Sequence, residues 1–320
     1  DSLVLVNSGI NEIEPNAFDG LQSLTKLNLN NNNIRVLRNF TFQSLKNLKD
    51  LDLSESNIEL IEPDAFKGLI SLTLLRLSAN KLKLHASMFH PLSNLEELNL
   101  ALMDIEELDP LLFITLTSLA KLFMSNNRIR ILRNYLFQSL TKLIELDLSD
   151  CQLETIERFA FYGLERVFLL KLSGSRIKYI QNFSFEYFKN SRSIQLSNAG
   201  IEVLEMNAFE GSSVSNTIDL SNNNIKCIRD FTFRTQMKLL NLNLANSNIE
   251  IIETNAFKGL EMLDNLYLSK NNIRILRTNT FQSLVKLKHL DMTQSNIETI
   301  EVDTFYGLKS LKILLMDFNN

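Results

Sequence analysis

The sequence predicts an α/β solenoid, a stack of about 13 similar coils with a parallel β-sheet along one side. Three observations predict it. Phenylalanine returns at a nearly constant interval, one leucine frame surrounds each copy, and the series continues from end to end of the 320 residues. A repeat of roughly 20–50 residues is typical of solenoids, because each copy is one structural unit that buries its apolar side only against its neighbours.

Phenylalanine keeps one phase along the chain, at intervals of 24 residues with a single interval of 23. The short interval shows that the fourth repeat lacks one residue, near Leu82–His85. Thirteen of the 21 phenylalanines hold this phase: Phe18, Phe42, Phe66, Phe89, Phe113, Phe137, Phe161, Phe185, Phe209, Phe233, Phe257, Phe281 and Phe305.

Each copy carries the frame L-x-x-L-x-L-x-x-N-x-L, with isoleucine usual at the last position, as in residues 24–34. Leu27 and Leu29 are two residues apart, so both point to one side of a short strand while Asn28 points to the other. Stacked coils pair these strands in parallel, roughly 4.8 Å apart. We expect Asn32 and its equivalents to satisfy backbone groups where the chain leaves the strand. One domain, residues 1–320, is therefore predicted, with no linker.

A second period of 48 residues is visible in the charges. One residue past the position of Ile34, basic and acidic side chains alternate from coil to coil: Arg35, Glu59, Lys83, Glu106, Arg130, Glu154, Lys178, Glu202, Lys226, Glu250, Arg274 and Glu298. This pattern favours ion ladders that fix the register of the coils, with a charged binding ridge as the alternative. Each exposed pair contributes only ~0.2–1 kcal/mol.

Polar residues replace the usual leucine in one part of the chain, at Ser191, Ser212, Ser215 and Gln236. Loss of apolar packing at core positions destabilises a fold. We therefore predict that residues 188–239 are the stretch least protected from hydrogen exchange.

Composition excludes several classes of function. The net charge is −4, no block of five like charges occurs, and alternating signs cancel the long-range field, so nucleic acid is not expected as a partner. No apolar run reaches the roughly 18 residues of a membrane span, which leaves membrane attachment to segments outside this chain. Two cysteines in this length predict no disulfide framework and no cysteine zinc site, and we expect neither a metal nor a cofactor.

The residues that enzymes use are few, so the sequence predicts no enzyme. His85 and His90 lie on the outer part of the fourth repeat, where a surface role is expected. His289 shares a strand face with Asp291, but the repeat places no serine or cysteine nucleophile beside the pair. A hydrolytic activity abolished by His289→Ala would be needed for the enzyme alternative. Cys151 and Cys227 are about three coils apart, too far for a disulfide, and are predicted to be free thiols.

The solvent side of the sheet is the predicted recognition surface, because its side chains follow no repeat rule in size or charge. Apolar and aromatic side chains there, within a charged rim, resemble an interface hot spot. The alternative is a set of scattered exposed apolar residues of no significance. The candidate partner-binding residues are Leu74, Arg76, Lys121, Phe123, Glu145, Asp147, Leu169, Lys171, Gln195 and Tyr267.

Two glycosylation sequons occur, at Asn39 and Asn182, on the same outer flank of two even-numbered repeats. We expect this flank to be exposed, which makes both asparagines candidate glycan acceptors.

The second half of the frame, I…I…A-F-x-G-L, stands at Ile58–Leu69 and Ile249–Leu260. With the 24-residue period, it resembles the extracellular "typical" leucine-rich repeat family: Toll-type receptor ectodomains, chaoptin-like adhesion proteins and other arthropod surface proteins. The resemblance implies a secreted or cell-surface horseshoe with the sheet on its concave face and loops or short helical turns on its convex face. It also implies non-catalytic binding of a protein or other macromolecule, commonly with N-glycans.

The chain departs from that family in lacking cysteine-rich end caps, and it begins and stops at strands. We therefore expect an excised segment of a longer protein. The first hypothesis is a binding module of an extracellular receptor or cell-adhesion protein, with a second copy of the chain kept open as a partner. The alternative is an intracellular leucine-rich scaffold for protein–protein interaction, which the lack of disulfides would suit.

Overall fold

The computed structural model describes residues 1–319, and it confirms a parallel β-sheet solenoid of about 13 turns. The outer side of the coils consists of turns and two-residue strands. The α/β label is corrected accordingly, since the described residues contain no helix and loops are the form that the outer side takes. The coils are numbered 1 to 13 by the in-phase phenylalanine that each contains, from Phe18 to Phe305.

The chain forms two compact units, each with its own stack of coils. The first consists of Asp1–Cys151 with Ala160–Leu164, and the second of Gln152–Phe159 with residues 165–319. A single uninterrupted domain remains a prediction.

The first unit contains short parallel strands whose hydrogen-bonded order follows the sequence, β1-β2-β4-β6-β7-β8-β10. Neighbours pair in a 24-residue register, as Leu27 does with Leu51, and in a 23-residue register where β6 meets β7. The strands are β1 (Ser2–Val4), β2 (Lys26–Asn28), β3 (Val36–Leu37), β4 (Asp50–Asp52), β5 (Leu60–Ile61), β6 (Leu74–Arg76), β7 (Glu97–Asn99), β8 (Lys121–Phe123), β9 (Ile131–Leu132) and β10 (Glu145–Asp147).

The second unit repeats this arrangement, in the order β12-β14-β16-β18-β20-β22-β24. Its strands are β11 (Thr155–Ile156), β12 (Leu169–Lys171), β13 (Tyr179–Ile180), β14 (Ser191–Gln195), β15 (Val203–Leu204), β16 (Val214–Asp219), β17 (Cys227–Ile228), β18 (Asn241–Asn243), β19 (Ile251–Ile252), β20 (Asn265–Tyr267), β21 (Ile275–Leu276), β22 (His289–Asp291), β23 (Thr299–Ile300) and β24 (Ile313–Leu315).

The predicted interior is confirmed. The paired leucines of the frame, such as Leu27 and Leu29, are fully buried. The in-phase phenylalanines stack on one another, with ring centroids 5.8 Å apart for Phe18 and Phe42 and 5.9 Å apart for Phe257 and Phe281. Each coil therefore buries its apolar side against the coils before and after it, which is the condition for a stable solenoid.

The 48-residue period has a structural basis, because four even coils are each bonded to the following odd coil of the same unit by an extra pair of strands. These two-residue strands pair as β3–β5 in the first unit and as β13–β15, β17–β19 and β21–β23 in the second. The amides of Glu59 and Leu60 both donate to the Arg35 carbonyl, and that of Glu62 donates to Leu37. Coils 2 and 3 thus form a pair, as do coils 8 and 9.

Within each unit, the step from an odd coil to the next even coil is held by an asparagine. In coil 4, Asn80 Oδ1 accepts from the amides of Ser56 (3.2 Å) and Ile58 (2.8 Å), and its Nδ2 donates to the carbonyls of Leu53 (2.9 Å) and Leu77 (2.8 Å). The amide group thereby satisfies backbone groups of two coils at once, as predicted from the frame. The same set of bonds is made by Asn32, Asn127, Asn223, Asn271 and Asn319.

The charge columns have two structural roles. Lys178 lies 3.4 Å from Glu202 and Arg274 lies 3.6 Å from Glu298, and both ion pairs lie within an even–odd pair of coils. A second acidic column accepts backbone hydrogen bonds instead. Each glutamate carboxylate in this column accepts a hydrogen bond from a backbone amide of the preceding coil. Glu62 accepts from Asn39 (2.7 Å), Glu205 from Asn182 (2.7 Å), Glu253 from Asp230 (2.6 Å) and Glu301 from Thr278 (2.8 Å). The alternating charges therefore mark coil pairs.

The polar core residues of coils 9 and 10 are hydrogen-bonded. Ser191 donates to the Val167 carbonyl at 2.6 Å, and the Gln236 amide bonds Val214, Phe209 and Ser212. Ser215 was placed in the core wrongly, because it is exposed and Val214 is buried instead. Buried polar groups that are hydrogen-bonded destabilise a fold far less than those without a partner. The low protection of residues 188–239 from hydrogen exchange stays a prediction, although these hydrogen bonds reduce the expected loss of stability.

The deletion in the fourth repeat opens the flank between coils 4 and 5. Neither coil has a two-residue strand at the place where β3 and β5 pair in coils 2 and 3. A cavity of about 640 Å³ lies there, lined by Lys83 and Leu84 from coil 4 and by Glu106 and Glu107 from coil 5.

Close contact within a coil pair requires glycine. Gly68 of coil 3 has φ +96°, and a Cβ at this position would overlap the Gln43 backbone of coil 2. We predict that Gly68→Ala lowers the free energy of unfolding for two reasons, the unfavourable φ and the steric overlap. The overlap should add about 1–3 kcal/mol to the loss caused by the unfavourable φ. Denaturant unfolding of the variant measures the loss.

Gly20 of coil 1 provides the matched control. Its φ is +92°, but a Cβ there would meet nothing within 4 Å. Gly20→Ala carries the same unfavourable φ without the overlap, so equal losses in the two variants would contradict the steric explanation.

Candidate binding surface

From β2 to β22, each strand that pairs along the sheet of its unit buries a leucine or isoleucine and directs the residues on both sides of it to solvent. We call the solvent side of these strands the open face, and the last residue of each strand its strand-end residue. From β2 to β22 the strand-end residues are Asn28, Asp52, Arg76, Asn99, Phe123, Asp147, Lys171, Gln195, Asp219, Asn243, Tyr267 and Asp291. They are half-buried.

Asparagine and aspartate at a strand end have a structural role. Their side-chain oxygen accepts a hydrogen bond from the amide two residues later, as Asp52 does from Ser54 at 3.0 Å. This is an Asx turn, and it bonds an amide that would otherwise face solvent. The same bond, at 2.9–3.1 Å, is made by Asn28, Asn99, Asp147, Asp219, Asn243 and Asp291.

Five strand ends carry residues that cannot form this turn: Arg76, Phe123, Lys171, Gln195 and Tyr267. The amides two residues later belong to Ser78, Ser125, Ser173, Ser197 and Ser269, and no Asx turn forms at these five positions. All five strand-end residues are among the candidate binding residues from sequence. Asp147, also a candidate, differs from them because it bonds the Ser149 amide.

The first unit brings six candidates onto three strands of one open face. Leu74 and Arg76 lie on β6, Lys121 and Phe123 on β8, and Glu145 and Asp147 on β10, with β7 between the first two strands. The charged members are paired rather than isolated. Arg76 bonds Asp50 at 2.8 Å, and Lys121 lies 3.6 Å from Glu97.

The second unit carries the other four candidates. Leu169 and Lys171 of β12 lie beside Ser193 and Gln195 of β14. Tyr267 is further along, on β20, where its ring stands edge-on to His289 with centroids 5.4 Å apart.

A row of asparagine amides on the same open face was missed from the sequence. Asn265 donates to Asn241 at 2.7 Å, and Asn241 donates to Asn216 at 3.0 Å. The residues could have been noticed, since asparagines one repeat apart occupy the first position of adjacent strands.

His289 does not assemble with Asp291 into a catalytic pair. Its Nε2 is buried without a hydrogen-bond partner in residues 1–319, while Asp291 accepts from the Thr293 amide at 3.0 Å. His85 bonds Ser87 and the Ile61 carbonyl, both at 3.1 Å, so it has a structural role on the outer side. His90 is exposed. Nothing positive in these contacts indicates an enzymatic activity.

The two sequons differ in exposure. Asn182 is exposed and Asn39 is half-buried. In both, the side-chain Oδ1 accepts a hydrogen bond from a backbone amide of the next coil. Asn182 accepts from Asn207 at 3.0 Å, and Asn39 accepts from Asp64 at 2.8 Å. The attachment atom of an N-glycan is Nδ2, so this contact leaves the acceptor nitrogen available.

Histidine, cysteine and carboxylate side chains of residues 1–319 nowhere group in sets of three or more that could hold a metal ion. No helical segment of that range has the length and apolarity needed to cross a bilayer.

The chain matches two family models. One is described as leucine rich repeat and matches residues 1–39, 23–82, 93–153 and 117–177, and the other as BspA type leucine rich repeat region (6 copies) and matches residues 178–312. The comparison with curated proteins gives no match.

Solved structures include similar solenoids. TLR13, in a complex with ssRNA13, is 28% identical with a TM-score of 0.74, over 97% of this chain and 46% of TLR13. Drosophila Toll, in the Toll–Spatzle complex, is 23% identical with a TM-score of 0.82, over 97% of this chain and 41% of Toll. The leucine-rich repeat domain of APL1B is 21% identical with a TM-score of 0.74, over 97% and 87% of the respective chains.

The likenesses to Toll and APL1B concern the fold alone. The chain spans less than half of the TLR13 and Toll chains. Because the TLR13 structure contains ssRNA13, the exclusion of nucleic acid from charge pattern is not supported and is not retained.

Both cysteines are free, as predicted. Burial raises the pKa of Cys151 from 9.0 to about 11, and its thiol donates to the Met124 carbonyl at 3.3 Å. A raised pKa in the folded state stabilises the fold fully below pH ~9, and this contribution is lost as pH rises towards 11.

We predict slow alkylation of Cys151, measured in a Cys227→Ser variant so that Cys151 is the one thiol. At pH 8, the folded variant should react with iodoacetamide at least ~100-fold more slowly than the unfolded variant, because folding lowers the thiolate fraction of Cys151 by that factor. Mass spectrometry after timed quenching measures the rates. Cys227, which is half-buried, serves as the comparison in Cys151→Ser. Equal rates for folded and unfolded Cys151 would contradict the burial.

Proposed function

Because the chain belongs to the leucine-rich repeat family, we propose that it is a non-catalytic binding module of an extracellular receptor or cell-adhesion protein. Its ligand is a macromolecule, in the first place a protein, recognised through the open face of the sheet. The likeness to Toll and TLR13 solenoids supports this assignment.

One observation carries the proposal. Where the open face is structural, its strand ends are Asn or Asp and bond the next turn. Where that rule is broken, the side chains are an arginine, a phenylalanine, a lysine, a glutamine and a tyrosine, which contribute nothing to the turn. Strand-end side chains that the turn does not require, on a rigid sheet, are the ones that we assign to recognition.

The chemistry of these positions suits a protein interface. Arginine and aromatic side chains are enriched at the energetic centres of interfaces. In the first unit, Phe123 is half-buried and follows Lys121 on β8, with Arg76 two strands away. In the second unit, Leu169, Lys171 and Gln195 provide an apolar, a cationic and an amide group on adjacent strands.

An intracellular scaffold is the second candidate, and the free thiols favour it. Cys151 and Cys227 form no disulfide, and unpaired cysteines are usual in reducing compartments.

Binding assays with open-face variants test the proposal. The chain is screened against a panel of extracellular proteins displayed on cells, with a labelled second copy of the chain in the same panel. For any ligand found, we expect Phe123→Ala and Lys171→Glu each to weaken binding about tenfold or more, since interface anchors contribute ≥ ~2 kcal/mol.

Matched controls come from the outer side. Leu111→Ala and Lys238→Glu change an exposed apolar and an exposed cationic residue away from the sheet, and should leave binding unchanged. Unchanged thermal unfolding confirms that each variant is folded. Binding that survives both open-face changes, or that the controls abolish instead, would refute the assignment of the surface.

Glycosylation tests the compartment. After expression through a secretory pathway, we expect an N-glycan at Asn182, because it is exposed with Nδ2 available, and lower occupancy at the half-buried Asn39. Intact mass before and after enzymatic deglycosylation measures it, with Asn182→Gln and Asn39→Gln as controls. No glycan at either site would favour the intracellular alternative.

A further inference from the structure

The outer side of the first unit contains a slot, the cavity of about 640 Å³ that the short fourth repeat opens between coils 4 and 5. Its volume lies within the range of about 300–1,000 Å³ that is usual for ligand pockets. The slot is lined by residues 81–84 and 103–107, none of which belongs to a strand of the sheet. It is therefore separate from the open face and goes beyond the proposed function.

Groups that join the coils of other pairs are bonded elsewhere at this junction. Asp109 of coil 5 stands where Glu62 stands in coil 3, but its carboxylate accepts a hydrogen bond from the Leu111 amide of its own coil at 2.8 Å. His85 of coil 4 makes a hydrogen bond back to the Ile61 carbonyl of coil 3 at 3.1 Å. Hydrogen bonds on both sides of the slot thus hold the two coils away from the pairing that closes other junctions.

The floor of the slot is apolar. Leu82, Met103 and Ile105 line it and are themselves buried, and Leu84 is half-buried. An aliphatic side chain that entered the slot would cover this surface and be removed from water, which stabilises a complex. The floor therefore favours a ligand with an aliphatic group.

The two rims of the slot carry opposite charges. Lys81 and Lys83 lie exposed on the coil 4 rim, and Glu107 lies exposed on the coil 5 rim. In a closed pair of the second unit the corresponding flanks meet, and Lys178 lies 3.4 Å from Glu202. Between coils 4 and 5 the slot separates the flanks, so a ligand between them would meet a cationic rim and an anionic rim.

The acidic residue that would pair with Lys83 is bonded to another coil. Glu106, its counterpart in the charge column, lies 3.9 Å from Arg128 of coil 6, and Asp104 lies 3.1 Å from the same guanidinium. Within residues 1–319, Lys83 and Glu107 take part in no ion pair. One cationic and one anionic group thus border the slot without a counter-ion.

We infer that the slot binds an extended peptide segment of a protein partner in which an apolar residue stands between an acidic and a basic one. Successive side chains of an extended chain point to opposite sides. The apolar side chain therefore enters the slot while its two neighbours point outwards to the rims, the acidic one to Lys83 and the basic one to Glu107. Pockets that receive alternate side chains give specificity in this mode of peptide recognition.

Methionine methyl NMR provides the test, because Met103 lines the slot and the chain has only eight methionines. The full 320-residue chain, labelled at its methionine methyl groups, is titrated with acetyl-Ala-Asp-Leu-Lys-Ala-amide, and Met103→Leu assigns the resonance. We expect a saturable shift of the Met103 resonance and no shift of Met206, Met237 and Met262 in the second unit. A peptide with serine in place of leucine should bind about tenfold more weakly or less, since it buries no aliphatic group.

A charge reversal tests the rims. Glu107→Lys should weaken the Asp-Leu-Lys peptide about twofold to fivefold and strengthen acetyl-Ala-Asp-Leu-Asp-Ala-amide by a similar factor, because the coil 5 rim then attracts an acid. Glu59→Lys is the matched control. It reverses an exposed glutamate on the same flank of coil 3, where β3 and β5 close the junction, and should change neither affinity.

A graft closes the slot. Replacing residues 82–88 with the sequence of residues 34–41 restores the 24-residue length of coil 4 and gives it the segment that forms β3 in coil 2. We expect the grafted chain to lose the response of Met103 to the peptide, with thermal unfolding as the check that it is folded.

Each contrary result overturns a stated part of the inference. An unshifted Met103 resonance, or a folded graft that binds as before, overturns the site. An equal response to the serine peptide overturns the role of the floor, and an unchanged peptide preference in Glu107→Lys overturns that of the rims. An equal response to free leucine overturns the peptide in favour of a small zwitterion. The proposed function is tested separately, by Phe123→Ala and Lys171→Glu on the open face.

Discussion

The structure depends on one constraint: each coil leaves the sheet through a turn, and most of the backbone polar groups in these turns are bonded by a neighbouring coil or by a nearby side chain. A short strand of three residues satisfies few of these groups by itself. Buried asparagines meet the need on the inner side of the turn, where each amide bonds four backbone groups. Asx turns meet it on the open face. Apolar burial stacks the coils, and these polar bonds fix how they stack.

This constraint explains why the true repeat is two coils long. The asparagine belongs to the even coil and reaches back to the odd one, whereas the two-residue strands and the glutamate caps join the even coil to the next odd one. Glycine appears only on the odd side of that second contact, where a Cβ would overlap the partner backbone, as at Gly68. The two kinds of junction are chemically different although the apolar frame repeats every 24 residues.

Much of the fold could be predicted because the leucine and phenylalanine positions depend on the fixed two-residue alternation of strands and on stacking alone. The roles of polar residues were harder to predict, since they depend on which atom lies within bonding distance. Glu62, for example, accepts a hydrogen bond from the Asn39 backbone amide, a role that the charge pattern did not reveal. Asp147 was grouped with binding residues although an aspartate two residues before a turn amide already indicates an Asx turn. The repeat spacing is irregular at Val214, so the sequence did not show that Val214 is the residue buried in the core there and that Ser215 is not. The candidate surface was predicted from the absence of a repeat rule, and five of its residues stand at strand ends that lack an Asx turn.

The alternation of coil types gives the solenoid a parity. Removing one coil from the interior would join two coils of the same type. The asparagine of an even coil would then no longer contact the odd coil whose backbone it bonds, and the glycine of an odd coil would no longer pack against the backbone of an even coil. Removing two would restore every junction. A chain of this kind should therefore lengthen or shorten during evolution by whole doublets, and insertions of a single coil should be confined to its ends.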